Sequence, residues 1–286
     1  MQSLTLTRSL VSRAFYLTVF EILSTFLWFS MFPVSKISDW AKSHCDGEYS
    51  LNIFQYYFLG IVGVVNAATI VGLTYLLVIL HFPPYLAAIL GAIAYPIMSG
   101  GIHLDGLSDT TDALFSYSGD KFKVLTDPHT GALGAIHTTL FTLAQVAIYA
   151  TLLYIWMTTG VPAYLPILLS AAVSRVGSFY ILVRYYPDFH PDHMEHLFPA
   201  YHSQESLEFG YNAYCCFLPV ATAILLFIFP ISVVPLCVAT LSTILVAKVI
   251  LPKLISNIGI IYGDLLGMCI LLSELLACFL MVPYYG

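Results

Sequence analysis

Long apolar runs dominate this chain and constrain its fold more than any other feature. Of its 286 residues, 59% are hydrophobic and only 9% are charged, which is too little charge to cover the surface of a soluble protein. A helix needs about 20 apolar residues to cross a bilayer. Eight runs reach that length: roughly 15–34, 53–80, 83–102, 132–158, 162–183, 212–231, 233–252 and 262–284. We therefore predict an all-α, polytopic integral membrane protein with seven to eight transmembrane helices.

The counts of seven and eight helices both stay open, because almost nothing separates the runs 212–231 and 233–252, which meet near Pro230 and Pro235. No linker or repeat divides the chain, so residues 1–286 are predicted to form a single multipass domain. Three polar stretches interrupt the runs, at about 35–51, 103–131 and 185–211. Lys and Arg concentrate in the cytoplasmic loops of membrane proteins. An orientation with both termini outside the cell places most of this chain's Lys and Arg residues in the cytoplasm. This predicts a cell-membrane protein with a cytoplasmic active site. No basic surface suited to nucleic acid is present.

The second polar stretch begins with an acidic cluster. Asp105, Asp109 and Asp112 are spaced four and three residues apart, which puts them on one face of a helix. Ser108 shares that side, and His103 precedes it. Carboxylates this close repel each other unless a cation neutralises them, and Mg²⁺ prefers such oxygen ligands. We predict a metal site at the three aspartates, with an ordinary solvated acidic face as the alternative.

Glycines border this region on both sides. Gly101 and Gly106 allow backbone or a large ligand to approach closely. Asp127, Gly131 and Gly134 lead into the fourth apolar run. Asp127 suits a helix cap, whereas the glycines also suit a backbone site for phosphate oxygens at a helix start. Both interpretations stay open.

Two charged residues lie in the middle of apolar runs. Arg175, preceded by Ser174, is in the fifth run, and Glu274 is in the last run, which begins near Asp264. Charges inside a membrane are costly, so they usually face a cavity and have partners. Either Arg175 pairs with Glu274, or its forked donors contact a phosphate.

The acidic stretch has a recognisable pattern. Residues 100–112 read Gly-Gly-Ile-His-Leu-Asp-Gly-Leu-Ser-Asp-Thr-Thr-Asp, which resembles the signature of the cobalamin synthase family, the adenosylcobinamide-GDP ribazoletransferases. Three further blocks follow in that family's order: Asp127…Gly131…Gly134, Ala172-Val173-Ser174-Arg175, and Gly263-Asp264-Leu265-Leu266-Gly267 with Glu274. In the first of these blocks His129 stands where the family has arginine.

The resemblance implies a Mg²⁺-dependent membrane transferase. It would join adenosylcobinamide-GDP to α-ribazole or its 5′-phosphate, giving adenosylcobalamin or its 5′-phosphate plus GMP, the late nucleotide-loop step of cobalamin biosynthesis. The expected catalytic residues are His103, Asp105, Asp109 and Asp112, with the aspartates as metal ligands. Because bound metal keeps carboxylates ionised, His103 is the expected base.

The expected substrate contacts follow the same blocks. They are Gly101, Gly106, Ser108, Asp127, Gly131, Gly134, Ser174, Arg175, Asp264 and Glu274. Besides the two substrates, the expected partners are the lipid bilayer and, as a candidate, a second copy of the chain.

Two other functions stay open at this point. Another membrane phosphotransferase, acting on a diphosphate-linked lipid or alcohol, would also present spaced aspartates to Mg²⁺, although the CDP-alcohol pattern is missing from the sequence. A cation-coupled secondary transporter would place carboxylates near broken helices at mid-membrane. The three aspartates instead open a polar stretch at the end of an apolar run.

Overall fold

Helices account for nearly all of the computed structural model, which describes residues 54–185, 233–259 and 261–286. In chain order the helices are α1 (Phe54–Ile79), α2 (Pro84–Met98), α3 (Ile102–Phe115), α4 (Lys121–Leu125), α5 (Ala132–Thr159), α6 (Leu165–Tyr185), α7 (Val233–Leu245), α8 (Leu251–Ile258) and α9 (Gly263–Tyr285). A π-helical turn, Val246–Ile250, joins α7 to α8. These residues contain no β-strand.

The all-α membrane prediction is confirmed, and six of the eight apolar runs lie on helices. Runs 15–34 and 212–231, the polar stretch 35–51 and nearly all of 185–211 lie outside the described residues. Four segments are long and apolar enough to cross a membrane: Gly60–Ile79, Ala132–Thr159, Val233–Ile258 and Gly263–Tyr285. Helices α2 and α3 make a fifth crossing if their bent pair counts as one span, and α6 is apolar over Leu165–Ser178.

The polar stretch 103–131 is largely helical, and a sharp break separates it from the preceding apolar helix. Helices α2 and α3 meet at 75°. Gly100 and Gly101 both have positive φ, 71° and 72°, a conformation that residues with a Cβ rarely adopt. The N–H of Gly101 reaches back to the carbonyl of Pro96 at 3.2 Å, which closes the end of α2. The two glycines therefore turn the chain so that the acidic helix leaves the direction of α2.

Helix α9 is the central element of the described bundle. It packs against α3, α5, α6 and α7. In its most apolar 18-residue stretch 61% of the positions are buried, against 22–33% for the other three long helices. Glycines allow close approach between neighbouring helices, as is common in membranes. A Cβ on Gly63 would overlap the Ala171 carbonyl of α6, and one on Gly177 would overlap Thr243 of α7. The outward faces of the bundle carry large apolar side chains, as lipid contact requires.

Candidate active site

The acidic helix α3 lies against the start of α9, and Gly106 is the point of contact. A Cβ on Gly106 would be only 2.7 Å from the carbonyl oxygen of Asp264 and 2.9 Å from its Cα. No larger residue fits there without moving α9. This approach gives Gly106 a structural reason to be glycine, and it brings the last of the predicted site blocks beside the first.

Asp264 thereby joins two of the aspartates of α3. Its carboxylate is repelled by Asp109 and Asp105, and Asp109 is repelled in turn by Asp105 and Asp112. None of Asp105, Asp109 and Asp264 forms an ion pair with another described residue. Asp105 is exposed, whereas Asp109 and Asp264 are partly buried. Carboxylates gathered from two helices without an ion-pair partner among the described residues are a candidate cation site.

Asp112 has a different environment from its two neighbours on α3. Its Oδ2 accepts a hydrogen bond from the backbone N–H of Gly131 at 2.7 Å, and its Oδ1 accepts one from Gly134 at 2.8 Å. These are N–H groups at the start of α5, which has no capping side chain of its own. Asp112 therefore caps α5 from another helix, at the end where the helix dipole favours negative charge.

The glycines of this segment are needed for that cap. A Cβ on Gly131 or Gly134 would overlap the Asp112 carboxylate, and one on Gly134 would also lie 2.6 Å from Ser108 Oγ. The amides that could hold phosphate oxygens thus donate to a carboxylate of the protein. Phosphate contact by Gly131 and Gly134, and metal binding by Asp112, stay predictions.

An open pocket of 560 Å³ lies beside the acidic helix. Asp109 and Asp112 form one part of its wall, and the segment leading from α3 to α5 forms the rest, including Lys123, Asp127 and His129. Its volume is within the range of small-molecule sites. The pocket therefore gives the carboxylates an accessible space in which a substrate can meet them.

Asp127 and His129 form a pair on the pocket wall. Asp127 Oδ1 accepts the backbone N–H of His129 at 2.9 Å and lies 2.8 Å from Nδ1 of the ring. The backbone N–H, followed by the ring, lowers the pKa of Asp127 below its ordinary value. Because an ionised carboxylate can only accept, Nδ1 carries a proton, and in the neutral ring Nε2 is the acceptor. The pair thus offers an oriented base to the pocket.

Arg175 and Glu274 form an ion pair inside the bundle, with both side chains fully buried. Glu274 Oε1 also accepts from Ser174 Oγ at 3.1 Å, and Oε2 accepts from Tyr95 Oη at 2.9 Å. Of the two interpretations left open by the sequence, the structure shows the pair. Tyr95 was not among the predicted residues, because a tyrosine in an apolar run carries no signal of its partner. A phosphate contact by Arg175 stays a prediction.

His103 is buried where α3 packs against α9, and it does not line the pocket. It is 4% exposed, and a Cβ on Gly267 of α9 would lie 3.3 Å from its Cα. Apart from Asp127 on the pocket wall and His103 beside α9, the charged residues of the predicted site form three groups. One joins Asp105, Asp109 and Asp264, the second is the Asp112 cap, and the third is the buried ion pair.

The carboxylate oxygens of Asp105, Asp109 and Asp264 are of the type that magnesium prefers. No three His, Cys, Asp or Glu side chains of the described residues converge as a ready-made metal cage. Mg²⁺ is, however, usually held by one or two carboxylates together with water and substrate phosphates. Asp105 and Asp109, with Asp264 opposite, provide that kind of incomplete oxygen shell.

Fold and site together define a multipass helical membrane protein with an acidic group of side chains beside an open pocket. The chain belongs to the CobS family, cobalamin-5-phosphate synthase, whose profile matches residues 21–282. This match covers every described helix except the last three residues of α9, and all three groups of site residues. It favours the first of the three functions considered from the sequence.

Curated relatives agree with the family match. The chain is similar to an adenosylcobinamide-GDP ribazoletransferase of Corynebacterium efficiens, with 36% identity over 124 residues, 42% of this chain and 45% of the relative. It is also similar to one of Desulfitobacterium hafniense, with 33% identity over 135 residues, 46% of this chain and 51% of the relative. The chain thus spans about half the length of the curated relatives it matches. No solved structure matches it significantly.

Proposed function

We propose that this protein is an adenosylcobinamide-GDP ribazoletransferase that works in the membrane. It would join adenosylcobinamide-GDP to α-ribazole or its 5′-phosphate and release GMP. Family membership and the names of the relatives support this reaction. In the chain itself, the observation that carries the proposal is the mutual repulsion of the Asp105, Asp109 and Asp264 carboxylates on two packed helices, with Asp109 lining an open pocket. None of the three forms an ion pair with another described residue.

The reaction exchanges one phosphorus–oxygen bond for another. A ribose hydroxyl oxygen of the ribazole forms a bond to the phosphorus nearest the cobinamide. The bond from that phosphorus to the bridging oxygen breaks, GMP leaves with that oxygen, and the hydroxyl proton passes to a base. Catalysis of such transfers is mostly positioning and charge neutralisation. The protein therefore needs a cation site and a base, held at fixed distances from each other.

Asp105, Asp109 and Asp264 are the proposed ligands of Mg²⁺. When bound, the ion would neutralise charge on the pyrophosphate oxygens. The close packing of α3 on α9 at Gly106 holds the carboxylates in place, and the Asp112 cap fixes the start of α5 relative to them. Both contacts keep the pocket wall rigid, which a positioning mechanism requires.

His129 is the proposed proton acceptor. In the neutral ring, Asp127 holds the proton on Nδ1, so the lone pair is on Nε2. It lines the same pocket as Asp109, whereas His103, the base expected from the sequence, is buried beneath α9. An imidazole also avoids the difficulty that metal-bound carboxylates are poor bases.

The proposed site faces the cytoplasm of the cell membrane. Support comes from the Lys and Arg distribution of the sequence, which places the stretch 103–131 inside the cell. A reporter fused at residue 45 or residue 120 is expected to be active in the cytoplasm. A signal from the outer side at either position would overturn this orientation.

Product analysis tests the proposed reaction. Purified protein in nanodiscs is incubated with adenosylcobinamide-GDP, α-ribazole 5′-phosphate and Mg²⁺, and the products are identified by mass spectrometry. We expect adenosylcobalamin 5′-phosphate and GMP in equal amounts, and no GMP when the ribazole is omitted. GMP release that is independent of the ribazole, or no release at all with either acceptor form, would contradict the proposal.

A further inference from the structure

A flat aromatic surface forms one wall of the pocket beside the acidic helix. Phe115 is the last residue of α3, and its ring stacks on that of His137 of α5, with centroids 4.8 Å apart and planes inclined by only 7°. Phe115 remains 47% exposed. A large aromatic side chain held flat and left accessible in a polar region is a surface suited to stacking.

His137 holds this surface in position from behind. Its Nδ1 lies 2.7 Å from the carbonyl oxygen of Leu133, one turn earlier on α5. Because a carbonyl can only accept, Nδ1 carries the proton and the ring is tied to its own helix. The pocket is lined by Phe115 and Leu133 but not by His137. His137 covers one face of the Phe115 ring, and the ring remains accessible to the pocket.

The rest of the pocket wall indicates what such a ring could receive. Asp109 and Asp112 supply carboxylates at one part of the wall, and Lys123 supplies a cationic side chain. A phosphate-bearing ligand therefore finds an ammonium group and a candidate cation site in the same space as an aromatic plane. A nucleoside phosphate carries the matching groups, namely phosphate, sugar and a planar base.

We propose that Phe115, backed by His137, stacks on the planar base of a nucleoside phosphate bound in this pocket. The inference rests on the proposed function, in which the leaving GMP and the entering ribazole phosphate both carry a planar base on a ribose. Stacking on an aromatic side chain is the chemistry these two share. Phe115 would therefore set which base the site accepts and where the attached ribose phosphate lies.

Binding measurements on one substitution test this proposal. Phe115→Leu keeps most of the apolar volume but removes the aromatic plane. Affinities of wild type and variant in nanodiscs are measured by titration calorimetry for GMP, α-ribazole 5′-phosphate and ribose 5-phosphate, which has no base. We expect binding of at least one base-bearing ligand to weaken about tenfold, with ribose 5-phosphate unaffected. The ligand that weakens identifies whose base is stacked.

Two further variants guard the interpretation. Leu140→Ala removes an exposed apolar side chain from the same helix, α5, outside the pocket, and is expected to change all three affinities by less than about twofold. Phe115→Trp keeps an aromatic plane and is expected to bind within about threefold of wild type, which keeps the proposal testable if the leucine variant is poorly folded.

Unchanged binding in Phe115→Leu, an equal loss for ribose 5-phosphate, or a tryptophan variant that folds but binds tenfold more weakly would overturn the stacking role. A wild-type protein that neither binds these ligands nor releases GMP would overturn the proposed function as well, whereas normal turnover with an unaffected leucine variant would remove the stacking role alone.

Discussion

Asp112 on α3 accepts a hydrogen bond from the backbone N–H of Gly134 on α5, at 2.8 Å and 22 residues along the chain. The contact ties the acidic helix to the helix that closes the far side of the pocket. It leaves no room for a side chain at Gly134, because a Cβ would overlap the Asp112 carboxylate. Pocket shape therefore depends on a glycine whose N–H already donates to a carboxylate of the protein.

Gly134→Ala is expected to lower stability and turnover together. Overpacking of this kind costs about 1–3 kcal/mol, and thermal unfolding of the purified variant should report it as a lower Tm. Gly72→Ala is the matched control, since a Cβ there meets nothing within 4 Å and should be neutral or slightly stabilising. Equal Tm values for the two variants would show that the Asp112 cap does not restrict this position.

Substitution of the proposed metal ligands should affect turnover far more than folding. Asp105→Asn and Asp109→Asn each remove one negative charge from a repelling group, so Tm should be unchanged or higher, while kcat falls at least about 100-fold because an oxygen ligand is weakened. Asp120→Asn is the control: Asp120 caps α4 through Lys123 N–H, and asparagine caps equally well. Near-normal kcat in both site variants at saturating Mg²⁺ would remove these aspartates from the metal site.

The buried ion pair should behave as a structural unit. Glu274→Gln leaves the Arg175 guanidinium buried without its counter-charge, which costs about 3–5 kcal/mol. Replacing both residues by methionine removes both charges and should restore a large part of that loss. Thermal unfolding of Arg175→Met, Glu274→Met and the double methionine variant measures this coupling. Additive losses in the double variant would argue against a paired role.

The two histidines can be separated by their pH profiles. His129→Gln should reduce kcat about 100-fold or more and remove the acid limb of the pH–rate profile, since the base that must be deprotonated is gone. His103→Gln should mainly change stability, because His103 is buried against α9. If His103→Gln abolishes the acid limb and His129→Gln does not, the assignment of the base reverts to His103.

Local pattern was sufficient for a large part of the fold and for the acidic group. Apolar run length located six helices, and the four-and-three spacing placed Asp105 and Asp109 on one face of α3. The family blocks also brought Asp264 into the predicted site, although only the packing of Gly106 shows how it arrives there. These features could be predicted because each depends on residues that are close in sequence or on a motif that the sequence itself contains.

Contacts between residues on different helices could not be predicted from the local sequence pattern. The N–H groups of Gly131 and Gly134 suit a phosphate as well as a carboxylate, and nothing local indicates that Asp112 occupies them. Likewise, the sequence offered two partners for Arg175, and only the crossing of α6 with α9 shows that Glu274 is within reach of it. The Phe115 and His137 stack depends on how α3 packs against α5.

Magnesium dependence of GMP release tests the central claim most directly. Wild-type protein stripped with a chelator is mixed with adenosylcobinamide-GDP and α-ribazole 5′-phosphate, and the initial rate is followed as Mg²⁺ is added back. The account predicts no release without the ion, saturable recovery with it, and a higher half-saturating Mg²⁺ concentration in Asp109→Asn. Full release of GMP in the presence of excess chelator would contradict it.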